Sequence, residues 1–290
     1  MPDPLHTSLL RGQQAGAAYA LLTPRNAAWG LAGGQMANRP GSSLEFMDHR
    51  EYQPGDDLRH IDWSAFARTD KLTLKVFREE VTPHADIVLD GSRSMALEGT
   101  AKAQAALGLA AAVAEAAANA NFTHAAWITG DFCRPIHHGA DSPATWDGFA
   151  FDSRTTPAEA VLRSPPAFRP HGVRILISDL LWMGEPIVAL SRLAERAAAT
   201  FVIQLLARDD VDPPERGNIR LVDSETNEIQ EIFLDASAQQ RYRDNLARHQ
   251  DHWQRAAVQA GGRMLTLVAE DLVEDWDLGP LAAAQIVKVL

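Results

Sequence analysis

Short, uninterrupted apolar runs mark most of the chain, and several end in an aspartate or a turn. ADIVLD at 85–90, VRILISDLL at 173–181, FVIQLLA at 201–207 and RMLTLVA at 263–269 are of this kind. Such runs read as strands buried on both faces. HAAWIT at 124–129 and CRPIHH at 133–138 add two more. Helical stretches alternate with them. The alanine-rich Lys102–Asn119 is one, TPAEAVLRS with proline in its first turn a second, and the amphipathic Pro186–Ala199 a third. Residues 237–260 predict a long polar helix, and residues 280–288 a last helix. IRLVDSETNEIQEIFLD predicts a hairpin around Ser224–Asn227. Earlier in the chain, residues 5–22 predict one helix stopped by Pro24, and residues 26–42 a Gly-rich loop with one short strand. A turn is predicted at Pro54–Gly55–Asp56–Asp57, then a strand with period-two alternation at KLTLKVF. Strand–helix alternation over about 200 residues implies an α/β fold with a doubly wound, mostly parallel sheet of Rossmann type. The expected division is an N-terminal appendage at 1–84 and an α/β domain at 85–290.

Ligands of open α/β sheets bind outside the carboxyl ends of the strands. IVLDGSRSM ends there, presenting Asp90 with Ser92 and Ser94. Oxygen-only donors favour a hard cation, Mg²⁺ or Mn²⁺. Such an ion needs more oxygens than these three. Asp179 stands at the end of another predicted strand, and Thr155 and Thr156 stand just before a predicted helix. The competing reading is helix capping, which Ser, Thr and Asp perform at any helix start. Asp–x–Ser–x–Ser, a later threonine and a later aspartate resemble the metal-ion-dependent adhesion site of von Willebrand factor A-type domains, over roughly residues 85–268. The resemblance implies a von Willebrand factor A-like domain. Its metal would be held by Asp90, Ser92, Ser94, Thr155 (or Thr156) and Asp179, with an acidic side chain of a partner completing the shell.

REYQPGDDLRHIDWSAFARTDKLTLKVFREE resembles the signature of the bacterial family called domain of unknown function 58. Arg50, Tyr52, Gly55, Asp56, Arg59, Ile61, Trp63 and Arg68 occupy its positions, with Phe66–Ala67–Arg68 at its Ala–x–Arg region. Physically, Gly55 permits the positive φ of a type II turn, and Asp56 accepts N–H bonds within the turn. Arg59 or Arg68 pairs with carboxylates, and Trp63 and Phe66 are expected to pack on the sheet. The stretch is either a structural brace or a docking surface. Many family members carry N-terminal membrane helices and a β-domain, so the chain resembles the short soluble subgroup. Genes of the family often neighbour a MoxR-type AAA+ ATPase. The resemblance therefore implies an adaptor or co-chaperone that links this ATPase to a client protein.

Composition narrows the choice. The 290 residues carry a net charge of −11, and residues 205–277 hold 16 acidic against 8 basic side chains. No basic stripe offers itself to nucleic acid. The longest apolar run, Ala105–Ala114, is about half a bilayer span. A single cysteine, Cys133, and no secretory signal suit the cytoplasm. His137–His138 has no further His or Cys at ligand spacing, and no nucleophile elbow, P-loop or dinucleotide fingerprint is found. The expected function is metal-dependent protein binding without catalysis. The alternatives are a metal-assisted hydrolase, in which Asp56 or His60 would have to reach the metal as base, and a metal-free scaffold.

Overall fold

The computed structural model describes residues 3–22, 46–54, 56–77, 83–212, 217–222 and 229–290. The chain forms two compact units, one of Met1–Asn26 with Pro83–Leu290, the other of Ala27–Thr82. The elements run α1 (Pro4–Gly16) and β1 (Tyr19–Leu21), then β2 (Phe46–Glu51), α2 (Trp63–Thr69) and β3 (Thr73–Phe77) in the smaller unit. The larger unit resumes with β4 (His84–Leu89), α3 (Lys102–Asn119), β5 (Thr123–Thr129), β6 (Cys133–Pro135), α4 (Pro157–Arg163), β7 (Val173–Ser178), α5 (Pro186–Ala194) and β8 (Ala199–Leu206). It ends with α6 (Arg208–Val211), β9 (Gly217–Val222), β10 (Ile229–Leu234), α7 (Ala236–Gln259), β11 (Arg263–Val268), α8 (Ala269–Asp275), α9 (Gly279–Ala283) and β12 (Val287–Val289).

The central sheet has six strands in the order β11-β8-β7-β4-β5-β6, parallel except for β6. Every residue of β4 and β7 is buried, as continuous apolar strands require when helices cover both faces. Val88, Leu176 and Val202 face a core built with Leu190 and Leu193 of α5 and Trp253 of α7. The centre of the sheet also holds a charge. Asp86 accepts from Arg174 Nε at 3.2 Å and Trp127 Nε1 at 3.0 Å. The remaining guanidinium donors reach main-chain carbonyls of Leu193 and Arg169, which satisfies the buried group. β9 and β10 form the expected antiparallel hairpin, whose tip at residues 223–228 lies outside the described residues.

α3 covers the other face and is itself covered by α1, which explains its composition. Gly12 meets Gly108 and Gly16 meets Ala112 so closely that a Cβ on Gly12 would stand 1.9 Å from the Gly108 carbonyl oxygen. Trp276 lies over Gly108 from α8's end. A helix covered on both sides must be thin, and alanine and glycine make it so.

Two terminal helices are shorter than the pattern predicts, as is α5, which stops at Ala194 where the pattern runs on to Ala199, the first residue of β8. The stretch 5–22 ends its helix at Gly16 and continues as β1, and the stretch 280–288 ends its helix at Ala283 and continues as β12. β1 and β12 pair antiparallel, Tyr19 against Val289, and the left-handed Gln285 (φ 58°) breaks the second helix. The strand partner lies at the far end of the sequence, where no local periodicity reveals it. The N-terminal helix therefore belongs to the α/β unit, and a boundary at 84/85 does not separate the two units. The predicted loop at 26–42 and the Gly55 turn residue lie outside the described residues.

Gly12→Val should force α1 away from α3. We expect a loss of roughly 1–3 kcal/mol in urea unfolding, with earlier proteolysis within residues 1–22. Unchanged stability would refute the close crossing.

Candidate metal centre

The chain leaves the central strand β4 at Asp90, which is fully buried. Asp90 Oδ1 accepts from the Ser92 main-chain N–H at 2.9 Å, and Oδ2 accepts from the Ser178 hydroxyl at 2.6 Å. Between them Gly91 passes so near Thr129 that a Cβ would stand 2.1 Å from its carbonyl oxygen, so only glycine fits. The Ser92 and Ser94 hydroxyls lie 3.0 Å apart. Ser92 also forms a parallel bridge with Ser153, with Ser153 N–H donating to Gly91 O at 3.1 Å and Arg93 N–H to Ser153 O at 3.0 Å. That bridge draws the 153–156 segment to the end of β4.

The two threonines then part in role. Thr156 is the N-cap of α4 in a capping box with Glu159, 3.2 Å and 3.3 Å for its two bonds. Thr155 is buried, and its hydroxyl donates to Asp131 at 3.4 Å in the turn between β5 and β6. Asp179 follows β7. Its Oδ1 accepts from Leu181 N–H at 3.1 Å, and its Oδ2 accepts from Lys102 Nζ at 3.0 Å. Leu180 adopts a left-handed backbone (φ 58°), which sends its side chain into the core while Asp179 stays at the rim.

Ser92, Ser94, Thr155 and Asp179 line one cleft of about 250 Å³, with Lys102, Arg154, Asp210, Leu97, Leu181 and Trp182. Thr156 lines it as well, while Asp90 is fully buried and is joined to it by its bond from the Ser92 N–H. Four of the five candidate residues thus share one cleft wall. Sequence reasoning missed three others. Ser178 holds Asp90; Lys102 is wholly buried; and Asp210, after β8, takes the same ammonium at 3.3 Å. The one available signal was a lysine in a helix's first turn, where it opposes the helix dipole.

The charges of the cleft are unbalanced. Burial, with the nearby Asp179 charge, pushes the Asp90 carboxyl up to about 7, against the pull of the Ser178 and Ser92 bonds. Burial works to lower the Lys102 ammonium, yet Asp179 and Asp210 outweigh it and leave it above the ordinary lysine value.

The smaller unit binds itself together. Arg50 grips Asp56 with two bonds of 2.8 Å and 2.7 Å, and Asp56 also accepts from Gln53 N–H at 2.8 Å. Those partners hold Asp56 below the usual carboxylate range. Arg59 pairs bidentately with Asp57, and Arg68 Nε donates to Ser64 O. Tyr52 N–H donates to Leu72 O at 2.9 Å. Asp62 caps α2 and contacts His49 at 2.7 Å. Contrary to the packing expected of it, Trp63 is 61% exposed and, among the described residues, its aromatic contact is edge-on with Phe66. It sits at N1 of α2, which buries none of its residues, while Ile61 before the helix and Leu74 of β3 are buried.

The family model described as "Protein of unknown function DUF58" matches residues 48–252, from the signature through the sheet and into α7. The chain belongs to the DUF58 family. Its relatives include "Uncharacterized protein Mb1516" of Mycobacterium bovis and "Uncharacterized protein Rv1480" of Mycobacterium tuberculosis. Each is 28% identical over 273 residues, covering 85% of this chain and 80% of the relative. Similar solved structures include an aerotolerance-related membrane protein of Bacteroides fragilis, 14% identical, covering 70% of this chain and 96% of that one, TM-score 0.40. A von Willebrand factor type A protein of Catenulispora acidiphila is 11% identical, covering 68% of this chain and 42% of that one, TM-score 0.32. The sheet order and flanking helices of this DUF58 chain are those of a doubly wound, mostly parallel α/β fold. Among its described residues no helix is long and apolar enough to cross a membrane.

The donor set of the DUF58 cleft fits a hard divalent ion. In an octahedral shell with bonds of about 2.1 Å, neighbouring oxygens lie about 3.0 Å apart, the spacing of the Ser92 and Ser94 hydroxyls. Among the described residues no three His, Cys, Asp or Glu side chains gather as a metal cage. Protein binding of an ion here would therefore rest on one carboxylate and neutral hydroxyls, with water filling the rest.

Asp90 gives the apo protein a definite pH dependence. Its folded value lies above the ordinary 3.8, at about 7. The stability it contributes is full below about pH 4 and is lost as the pH rises through about 7. Asp90→Asn keeps the shape without the charge. In EDTA, its thermal unfolding should be flatter than wild type between about pH 5 and 8 and occur at higher temperature at the upper end. Parallel curves for the two proteins would contradict this electrostatic account.

Proposed function

We propose that this DUF58 protein is a metal-dependent protein–protein interaction module. In this reading Asp90, Ser92, Ser94 and Thr155 hold Mg²⁺ or Mn²⁺, with Asp179 beside them, and the cleft receives an acidic side chain of a partner. When bound, the ion supplies a hard acceptor site for an anionic oxygen. The observation that carries the reading is the meeting of the Ser92 and Ser94 hydroxyls, hydrogen-bonded at 3.0 Å, beside the buried Asp90 carboxylate. The chain's own residues give the cleft its selectivity. Leu97, Leu181 and Trp182 line its mouth, and Met183 beside them is 95% exposed. Trp182 is anchored edge-on against the buried Trp253 at 5.1 Å. An acid flanked by apolar side chains, as on a protein surface, suits such a rim better than a bare hydrated anion. A cleft of about 250 Å³ takes one side chain, not a large substrate.

The partner is a MoxR-type AAA+ ATPase, which the chain would link to a client as adaptor or co-chaperone in the cytoplasm; this rests on the family resemblance. The smaller unit, self-braced and presenting Trp63 and Leu58 to solvent, is suited to a second contact.

Asp90→Ala should abolish Mn²⁺ binding in calorimetry, by more than about 100-fold, and with it capture of the ATPase. The circular dichroism spectrum should stay unchanged, since the substitution removes a buried charge rather than a packing group. Capture that survives both Asp90→Ala and EDTA would defeat the mechanism.

A further inference from the structure

Lys102 needs an explanation that capping and packing do not supply. It is the first residue of α3, buried completely, on a helix whose other inward residues are apolar. Its N-terminal position sets its charge against the helix dipole. Its ammonium lies 3.0 Å from Asp179 Oδ2 and 3.3 Å from Asp210 Oδ2, on the cleft wall that Ser92, Ser94 and Thr155 also form. The backbone around it is fixed from elsewhere. Glu270 Oε1 accepts from Ala101 N–H at 3.0 Å, and its Oε2 accepts from Arg208 N–H at 2.8 Å. Asp210 accepts from Ala207 N–H at 2.8 Å, and Tyr242 of α7 donates to the Asp210 carbonyl at 2.6 Å.

The charges can be counted. Asp90, Asp179 and Asp210 bring three negative charges to this corner when ionised, and Lys102 returns one. The bonding also divides the three acids. Asp179 and Asp210 are given to the ammonium, while Asp90 meets no cation and is bonded by the Ser92 N–H and hydroxyl and the Ser178 hydroxyl among the described residues. Exposed Arg154 also lines the cleft, but with a solvated head its charge is screened far more than that of a buried group.

We propose that Lys102 is a resident cation that tunes the metal centre: it withholds Asp179 and Asp210 from the ion, leaves Asp90 as the ion's carboxylate, and keeps affinity low enough for exchange. The inference rests on the metal reading above and adds a sign that the reading alone does not predict. Removing a positive charge a few ångströms from the ion should strengthen metal binding. A lysine that merely braced the site would, on removal, loosen Asp179 and weaken it.

The test is calorimetric titration with Mn²⁺ of wild type, Lys102→Met and Asp210→Asn, each checked for fold by circular dichroism. Lys102→Met should bind at least roughly tenfold more tightly than wild type. Asp210→Asn removes a negative charge and keeps the ammonium, so it should bind several-fold more weakly. Equal or weaker binding by folded Lys102→Met overturns the proposal. Should Lys102→Met not fold, Asp210→Asn decides alone, and affinity equal to wild type or higher overturns it. Binding by wild type with no shift in either variant defeats the lysine inference while sparing the metal reading. Absence of binding in all three defeats both. Binding by Lys102→Met where wild type shows none supports the proposal in its strongest form.

Discussion

A parallel sheet sends every strand's carboxyl end to the same rim, and that constraint organises this molecule. Three adjacent strands, β4, β7 and β8, each release an aspartate there: Asp90, Asp179 and Asp210. Like charges so near one another are costly in a buried setting. The fold answers with hydroxyls, main-chain N–H groups and one ammonium drawn in from the start of α3. Asp86 and Arg174, also in β4 and β7, show the other solution, where a buried carboxylate has its own guanidinium. The two acids of β4 thus differ in surroundings, and the one at the strand end is held by hydroxyls and N–H groups alone among the described residues.

The strands were legible in the sequence because burial on both faces leaves an unbroken apolar run. α3 was legible to its ends because a thin covered helix is written in alanine. Asp90, Ser92, Ser94 and Asp179 were legible for the same reason as the strands: each stands at or just past the point where an apolar run stops. What was hidden depends on contacts distant in sequence. Whether Thr155 or Thr156 caps α4 is decided by the bridge from Ser92 to Ser153. Lys102 looks like any solvated lysine at a helix start until α8, α6 and β7 close over it. β1 and β12 were read as helix because each is a few residues long and its only partner is the other.

The signature residues of the DUF58 stretch show how a motif can be specific without being a site. Arg50, Asp56 and Gln53 close one turn; Asp62, Ser64, Ala65 and His49 close the next. The acids that looked crowded enough for chemistry are each engaged locally, Asp56 by Arg50, Asp57 by Arg59 and Asp62 by the α2 N–H groups. Among the described residues of this unit Ile61 and Leu74 are buried, whereas Leu58, Trp63 and Leu72 are exposed.

The clasp between Tyr19–Leu21 and Val287–Val289 bears on how the protein is made. Residues 19–21 leave the ribosome long before their strand partner is synthesised, so α1 has no closed edge to hold it against α3 in the meantime. Contacts of such sequence separation form late and slowly. During that interval the Gly108 face of α3 is open to other apolar segments, including the same helix of a neighbouring nascent chain. Closure of the β1–β12 clasp ends the window in which α1 can be exchanged between copies.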